Sequence, residues 1–185
     1  YNASIMNISA MSYGALSPNA ILALNLGAKQ GHFYHNTGEG GLSHYHLKHG
    51  GDIVWQIGTG YFGCRRPDGG FDAEQFTKKA QLDVVKMIEI KISQGGKPSH
   101  GGVLPADKIT AEIAHIRGIP MGKDCLSPPT HKTFSTPLEL MQYIVELRKL
   151  SGGKPVGFKI CIGVKREFMA ICKAMLESQV YPDFI

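Results

Sequence analysis

Cysteine is scarce in this sequence, and its spacing excludes the common zinc and disulfide frameworks. Cys64, Cys125, Cys161 and Cys172 lie far apart, with no C-x-x-C pair and no other spacing typical of metal ligands. They are expected to be reduced thiols in a cytoplasmic protein, with no metal site in this segment. Stretches of about 18 apolar residues are also absent, so the sequence predicts no transmembrane helix and a soluble domain.

Runs of lysine or arginine are missing as well, although the formal net charge is +5. Scattered positive charge suits an anionic small ligand as well as nucleic acid, so charge alone does not choose between these partners. Because hydrophobic residues make up 43% of the 185 residues, the chain can bury one core. One compact domain, or part of a larger one, is predicted.

The two ends of the chain predict a piece of a longer polypeptide. Tyr1 stands where an initiator methionine is expected, and the apolar run SIMNISAM follows almost at once. The chain stops at residues 182–185 (PDFI), where a strand pattern has just begun. We therefore expect the last elements of the domain to lie beyond residue 185.

Strand and helix patterns alternate along the sequence, without internal repeats. Ser17 and Pro18 mark one helix start, and the TPLE stretch at residues 136–139 marks another as a capping box. Such alternation predicts a parallel sheet with crossover helices. The predicted strands are 4–11, 33–37, 53–57, 87–92 and 156–163, and the predicted helices contain residues 21–28, 76–84, 109–116, 140–147 and 168–175.

Charged residues alternate with apolar ones in two of the predicted strands. Strand 87–92 carries Glu89 and Lys91 on the face opposite its isoleucines, and Lys159 stands between Phe158 and Ile160. Strands of a parallel sheet are normally apolar on both faces, so the charged face is expected to point into a barrel interior or cleft. There the charges would neutralise one another, with Lys159 as the leading partner of Glu89, or meet an anionic ligand. The alternative is an edge strand whose lysine reaches water.

The stretch QIGTGYFG at residues 56–63 contains the G-x-G-x-x-G spacing of a dinucleotide-binding turn. That turn requires the first strand before it and a helix directly after it. Here a later strand precedes the glycines, and CRRPDGGFD follows them instead of a helix. The sequence therefore indicates either a plain glycine turn or a loop that a flat or phosphorylated ligand approaches closely.

Six motifs follow one another along the sequence: ISAMSYGALSP (8–18), NTGEGG (36–41), QIGTGYFG (56–63), EIKISQGGKPSHGG (89–102), CLSPPTHKTFSTP (125–137) and GFKICIG (157–163). This ordered set resembles the FMN-binding barrel domain of glutamate synthase, especially its stand-alone, glutamate synthase-like members. The resemblance implies a partial (β/α)8 TIM barrel of class α/β, in which residues 1–185 are the N-terminal part, about five and a half βα units. It also implies an FMN-dependent oxidoreductase that reduces the imine of 2-oxoglutarate to L-glutamate with hydride from reduced FMN.

The resemblance implies two groups of site residues. Lys91 and Lys97 match the lysines that meet the keto acid, and Glu39 matches the glutamate placed where ammonia and substrate meet. Lys97 could instead be a solvated loop charge, and Glu39 could cap a turn. The flavin-binding residues implied are Ala10, Met11, Ser12, Gly14, Gln56 and Lys159.

A cluster of histidines offers a competing metal interpretation. The spacing of His32, His35, His44, His46 and His49 suits no standard zinc motif, so surface or loop histidines are predicted.

Departures from the family affect the substrate and the nitrogen source. Val103 stands where the large enzymes usually carry glutamine, and Tyr61 stands where they usually carry arginine. A small-molecule substrate is expected, with nitrogen from ammonia or glutamine, no nucleic acid, and an electron donor that the sequence does not identify. An iron–sulfur cluster could belong to the parent protein, but none of the four cysteines matches its ligands.

Two other functions stay open at the level of sequence. In one, Lys91 is the Schiff-base nucleophile of a lyase or aldolase barrel. In the other, the segment is a non-catalytic interaction module, because an open half barrel exposes unpaired strand edges. The same edges predict a homo-oligomer or contacts with the rest of the parent chain.

Overall fold

The computed structural model describes residues 1–92 and 102–185, and a parallel sheet forms its centre. Its strands lie in the order β1-β2-β3-β6, while β4 and β5 form a separate antiparallel pair. The strands of the described residues are β1 (His35–Asn36), β2 (Ile53–Ile57), β3 (Val85–Lys91), β4 (Val103–Leu104), β5 (Cys125–Leu126) and β6 (Val156–Lys159).

Helices follow the strands of the parallel sheet, as crossover connections require. A single 3-10 turn, Ala106–Lys108, precedes the fourth helix. The α-helices of the described residues are α1 (Pro18–Gly31), α2 (His44–Leu47), α3 (Ala73–Ala80), α4 (Ala111–Arg117), α5 (Pro137–Leu150) and α6 (Lys165–Ser178).

Two of these helices begin where their capping residues predict. The Ser17 hydroxyl accepts a hydrogen bond from the Ala20 backbone N–H, and Pro18 is the first residue of α1. Thr136 and Glu139 form a complete capping box at the start of α5. Both signals are confirmed, because a cap satisfies backbone donors that are otherwise unpaired at a helix start.

The sheet has one apolar face and one polar face. Trp55 and Ile57 of β2 are paired in register with Ile88 and Ile90 of β3, and all four side chains are fully or almost fully buried. Helices α3, α5 and α6 cover this face, where Trp55 stacks on Phe76 at 5.3 Å. Burial of each such side chain contributes about 1.5–3 kcal/mol to the free energy of folding. The face opposite the helices carries polar groups instead.

The predicted strand at residues 4–11 is wrong as an extended strand. Its backbone meets β1 only at Ile8, which forms an isolated bridge with His35, and at Met11, whose N–H donates to the Asn36 carbonyl at 3.0 Å. Ile5 and Met6 are 103% and 79% exposed, since no described element covers them. A strand needs continuous pairing and a covered face, and this segment has pairing only at separate residues and no cover from the described elements over Ile5 and Met6.

Three element boundaries also differ from the sequence-based expectation. Helix α3 ends at Ala80, and residues 82–84 turn back toward β3. Thr110 caps α4, so Ile109 precedes the helix. Strand β6 ends at Lys159, and two backbone hydrogen bonds join residues 183–184 to its edge without forming a strand.

The parallel sheet with its crossover helices confirms the α/β class and the architecture of a partial (β/α)8 barrel. No helix of the described residues is long and apolar enough to cross a membrane. The architecture puts the polar face and the carboxyl ends of β1, β2, β3 and β6 on the side where barrel proteins place their sites.

Candidate functional site

The polar face of the sheet carries Asn36, Gln56, Glu89, Lys91 and Lys159 on adjacent strands. Glu89 accepts hydrogen bonds at Oε1 from the side-chain amides of Asn36, at 2.9 Å, and of Gln56, at 2.5 Å. The predicted ion pair between Glu89 and Lys159 is absent from the described part of the chain. Two amide donors satisfy the carboxylate instead, because register places Gln56 beside Glu89.

Lys91 forms an ion pair with Glu39, and the resemblance implies a catalytic role for both residues. Lys91 Nζ lies 2.6 Å from Glu39 Oε1, and the two side chains are 11% and 23% exposed. Lys91 is the last residue of β3, while Glu39 lies in the loop that follows β1. Asn36 holds that loop by accepting from the Gly38 N–H at 3.0 Å. Two predicted catalytic residues are thus brought together; Lys97 lies outside the described residues.

The glycine-rich stretch after β2 makes room for Glu39. A Cβ atom on Gly58 would lie 2.7 Å from Glu39 Oε2 and 2.8 Å from Glu39 Cβ, closer than real Cβ atoms approach. No helix follows the stretch until Ala73, which confirms that it is not a dinucleotide-binding turn. Gly58 therefore allows a close approach, but the approaching group is a carboxylate of the chain itself.

Tyr61 and His131 lie beside this ion pair; sequence reasoning noted Tyr61 only as a departure from the family and gave His131 no role in the site. His131 Nε2 lies 2.8 Å from the Lys91 carbonyl oxygen, and Nδ1 lies 3.1 Å from the Tyr61 hydroxyl. Burial lowers the pKa of His131, so the imidazole is neutral near pH 7. The matched segment 125–137 contained His131, but only the structure shows its contact with β3, 40 residues away.

Arg117 is a second residue that sequence reasoning missed. It is only 7% exposed, its Nη2 donates to the Tyr13 carbonyl at 3.3 Å, and its guanidinium lies over Phe62. An added Cβ on Gly40 would lie 3.1 Å from Nη2, so this cation borders the Glu39 loop. No carboxylate of the described residues pairs with it, and its Nε has no hydrogen-bond partner there. Basic residues are common in the last turn of a helix, so the position of Arg117 at the end of α4 gave no signal of a role in the site.

The predicted flavin loop, residues 10–14, runs along the end of β1. The Met11 N–H donates to the Asn36 carbonyl at 3.0 Å, and the Met11 carbonyl accepts from His46 Nε2 at 3.0 Å. Ser12 packs on Gly38, and Gly14 has a φ of 100°, in the left-handed region. The loop is therefore held against the strand end that carries the Glu39 loop.

A cleft of about 350 Å³ opens between this loop and the polar face. Ala10 and Lys159, two of the predicted flavin residues, line it together with Asn36 and Glu89. Gln56, a third, is 2% exposed and reaches the cleft through Glu89. The cleft thus gathers a cation, a carboxylate and an exposed loop backbone.

Two histidines of the cluster at residues 32–49 are fully buried, so the prediction of surface or loop histidines is wrong for them. His35 belongs to β1, and His46 belongs to α2, where the Ser43 hydroxyl donates to its Nδ1 at 2.7 Å. Burial lowers the pKa of both to about 4. His46 supports the loop at residues 10–14 by holding the Met11 carbonyl.

Comparison with known proteins links this arrangement to one family. A family model described as a conserved region in glutamate synthase matches residues 3–185. The chain is 42% identical over 186 residues to the glutamate synthase large subunit-like protein YerD of Bacillus subtilis (strain 168), covering 100% of this chain and 35% of that protein. It is 40% identical over 154 residues to an archaeal glutamate synthase (NADPH) of Archaeoglobus fulgidus, covering 82% of this chain and 27% of that protein. The chain thus spans about a third of the length of these relatives.

Proposed function

Because this chain belongs to the glutamate synthase family, we propose that it is part of an FMN-dependent oxidoreductase that reduces the imine of 2-oxoglutarate to L-glutamate. The names of the relatives support glutamate as the product. The observation that carries the proposal is the Glu39–Lys91 ion pair at the carboxyl end of β3, with Lys159 directly across from Lys91 on β6. Two lysines and an acid at adjacent strand ends suit an anionic keto acid and a nitrogen donor.

The cleft between Ala10 and Lys159 supports FMN as the cofactor. The pyrimidine edge of a flavin presents carbonyl acceptors and one N–H donor, which match the Lys159 ammonium and the Glu89 carboxylate. When bound, reduced FMN supplies the hydride, and a nearby cation such as Lys159 stabilises the negative charge of the reduced ring. Gln56 would act by holding Glu89, and residues 10–14 would face the ring with their backbone.

The substrate would lie against Lys91 and Glu39. A 2-oxo diacid carries two negative charges, which the Lys91 ammonium can attract while it polarises the keto oxygen. Lys97 is proposed to share this role, and the buried Arg117 guanidinium adds positive charge beside the Glu39 loop. Imine formation from ammonium first requires the loss of a proton, which the Glu39 carboxylate would accept.

Removal of the Lys91 charge tests this proposal in the full-length protein. The protein would be reduced under anaerobic conditions with dithionite, so that no natural electron donor is needed, and then mixed with 2-oxoglutarate and ammonium. We expect the flavin absorbance to return in the parent but not in Lys91→Met, which keeps the aliphatic stem and loses the ammonium.

The matched control is Lys78→Met, which removes an exposed lysine from an ion pair with Glu74 on α3. This variant should reoxidise like the parent, because an exposed ion pair contributes little. Full-length protein without flavin absorbance, or Lys91→Met that reoxidises at the parent rate, would contradict the proposal.

A further inference from the structure

We infer that Tyr61 and His131 are positioning residues that hold the end of β3, and with it Lys91, in place for the reaction. The inference rests on the substrate-binding role proposed for Lys91. Tyr61 lies in the connection from β2 to α3, and His131 lies in the connection from β5 to α5. Two segments distant in sequence therefore meet at one strand end.

The hydrogen bonds of His131 define which of its nitrogens carries the proton. Its Nε2 lies 2.8 Å from the Lys91 carbonyl oxygen, which can only accept, so Nε2 donates. A neutral imidazole has one N–H, so Nδ1 accepts from the Tyr61 hydroxyl at 3.1 Å. The ring is 7% exposed and stacks on Phe134 at a centroid distance of 4.7 Å. His131 thus bridges Tyr61 and the backbone of Lys91 in one tautomer.

Tyr61 in turn holds the segment that carries His131. Its hydroxyl oxygen accepts from the backbone N–H groups of Lys132, at 2.9 Å, and Thr133, at 3.2 Å. The side chain is fully buried, and its φ of 50° lies in the left-handed region, which is uncommon for a bulky residue. Such a backbone conformation persists only where surrounding contacts stabilise it. In this case the stabilising hydrogen bonds are those of the Tyr61 hydroxyl.

Lys91 is consequently held both at its backbone and at its side chain. His131 binds its backbone carbonyl, and Glu39 binds its ammonium at 2.6 Å. Because β3 ends at Lys91, the contact with the Lys91 carbonyl restrains the end of the strand. The side chain that carries the ammonium extends from this restrained backbone. Loss of the His131 N–H should let the strand end move and should expose Nζ more often.

Three variants of the full chain separate positioning from general packing. His131→Gln keeps an N–H donor that can reach the Lys91 carbonyl, whereas His131→Leu removes it. Tyr61→Phe keeps the ring but removes the hydroxyl that contacts His131, the Thr133 hydroxyl and two backbone N–H donors. The matched control is Tyr143→Phe, because Tyr143 belongs to the same aromatic cluster and its hydroxyl forms no hydrogen bond with His131.

The first readout is the rate at which a lysine reagent such as acetic anhydride modifies Lys91, measured by mass spectrometry relative to the exposed Lys78 of the same molecule. We expect modification to rise roughly two- to tenfold in His131→Leu and Tyr61→Phe, as loss of one hydrogen bond predicts. His131→Gln should restore most of the protection, and Tyr143→Phe should match the parent. An unchanged rate in Tyr61→Phe and His131→Leu would overturn the inference. Should His131→Leu fail to fold, the rates in Tyr61→Phe and His131→Gln still show whether these two residues hold Lys91 in place.

The second readout is kcat for flavin reoxidation by 2-oxoglutarate and ammonium. We expect kcat to fall in His131→Leu and to recover partly in His131→Gln, while the flavin spectrum stays that of the parent. A parent protein with no such turnover would defeat the proposed function alone, since the Lys91 modification rates would still show whether Tyr61 and His131 hold this lysine.

Discussion

At the scale of single residues, His35 and His46 make the stability of the fold depend on pH. Both side chains are fully buried, and burial lowers the pKa of each to about 4. Above pH 6.5 the histidines are neutral in the folded and unfolded chains, so they contribute no pH dependence there. Between pH 6.5 and 4 the unfolded chain takes up protons that the folded chain does not. The free energy of unfolding should therefore fall with falling pH, by roughly 3 kcal/mol for each histidine.

Urea unfolding of the parent and of His46→Gln at pH 7 and pH 4.5 checks this expectation. The variant should lose less stability than the parent between the two pH values, because one of the two groups no longer titrates. His115→Gln, which changes an exposed histidine on α4, serves as the control and should follow the parent. Equal losses in the parent and His46→Gln would show that His46 does not carry the effect.

The sequence predicted the placement of single residues correctly where only the two-residue alternation of side chains along a strand was needed. Side chains alternate across a strand, so the common face of Glu89, Lys91 and Lys159 could be predicted without knowing their neighbours. His131 and Arg117 could not be found in this way. Their partners lie 40 and 104 residues away, at Lys91 and Tyr13, and no local pattern encodes such contacts.

At the scale of elements, the loop after β2 is shaped by the Glu39 side chain. Gly58→Ala would place a Cβ 2.7 Å from Glu39 Oε2, and either the carboxylate or the loop backbone must then move. We expect a loss of about 1–3 kcal/mol in the free energy of unfolding, which is typical of overpacking. Glutamate formation should fall as well, because the Glu39–Lys91 pair is displaced.

The matched control for this substitution is Gly27→Ala in the middle of α1, where an added Cβ meets nothing within 4 Å. It should stabilise the protein by about 0.5–1 kcal/mol, since alanine favours the helix interior over glycine. Urea unfolding of both variants measures the two opposite effects. Gly58→Ala with the stability and activity of the parent would show that the loop is not tightly packed on Glu39.

Elements whose signals are local were the ones that the sequence predicted best. Helices α1 and α5 begin at Ser17 and Thr136 because a single side chain satisfies the unpaired backbone donors there. The segment 4–11 has an equally apolar pattern, yet its pairing with β1 is limited to Ile8 and Met11. Pairing and cover come from other parts of the fold, so an apolar pattern alone does not make a strand.

At the scale of the whole molecule, the two faces of the parallel sheet have different roles. The face of Trp55 and Ile88 packs on helices and supplies stability, while the opposite face presents polar side chains at the strand ends. This division let the sequence predict the fold class and the side of the sheet that carries the site. The ion-pair partners depended on the path of loops, so Lys91 pairs with Glu39 whereas Glu89 binds amides.

Nitrogen and keto acid are proposed to meet at Glu39 and Lys91, and the incorporation of labelled nitrogen into glutamate checks this. The reduced full-length protein would receive 2-oxoglutarate and ¹⁵N-ammonium, and glutamate would be analysed by mass spectrometry. We predict ¹⁵N-glutamate from the parent and from Glu74→Gln, which changes an exposed acid of α3, but a large loss in Glu39→Gln. No labelled glutamate from the parent, or equal amounts from the parent and Glu39→Gln, would contradict the claim.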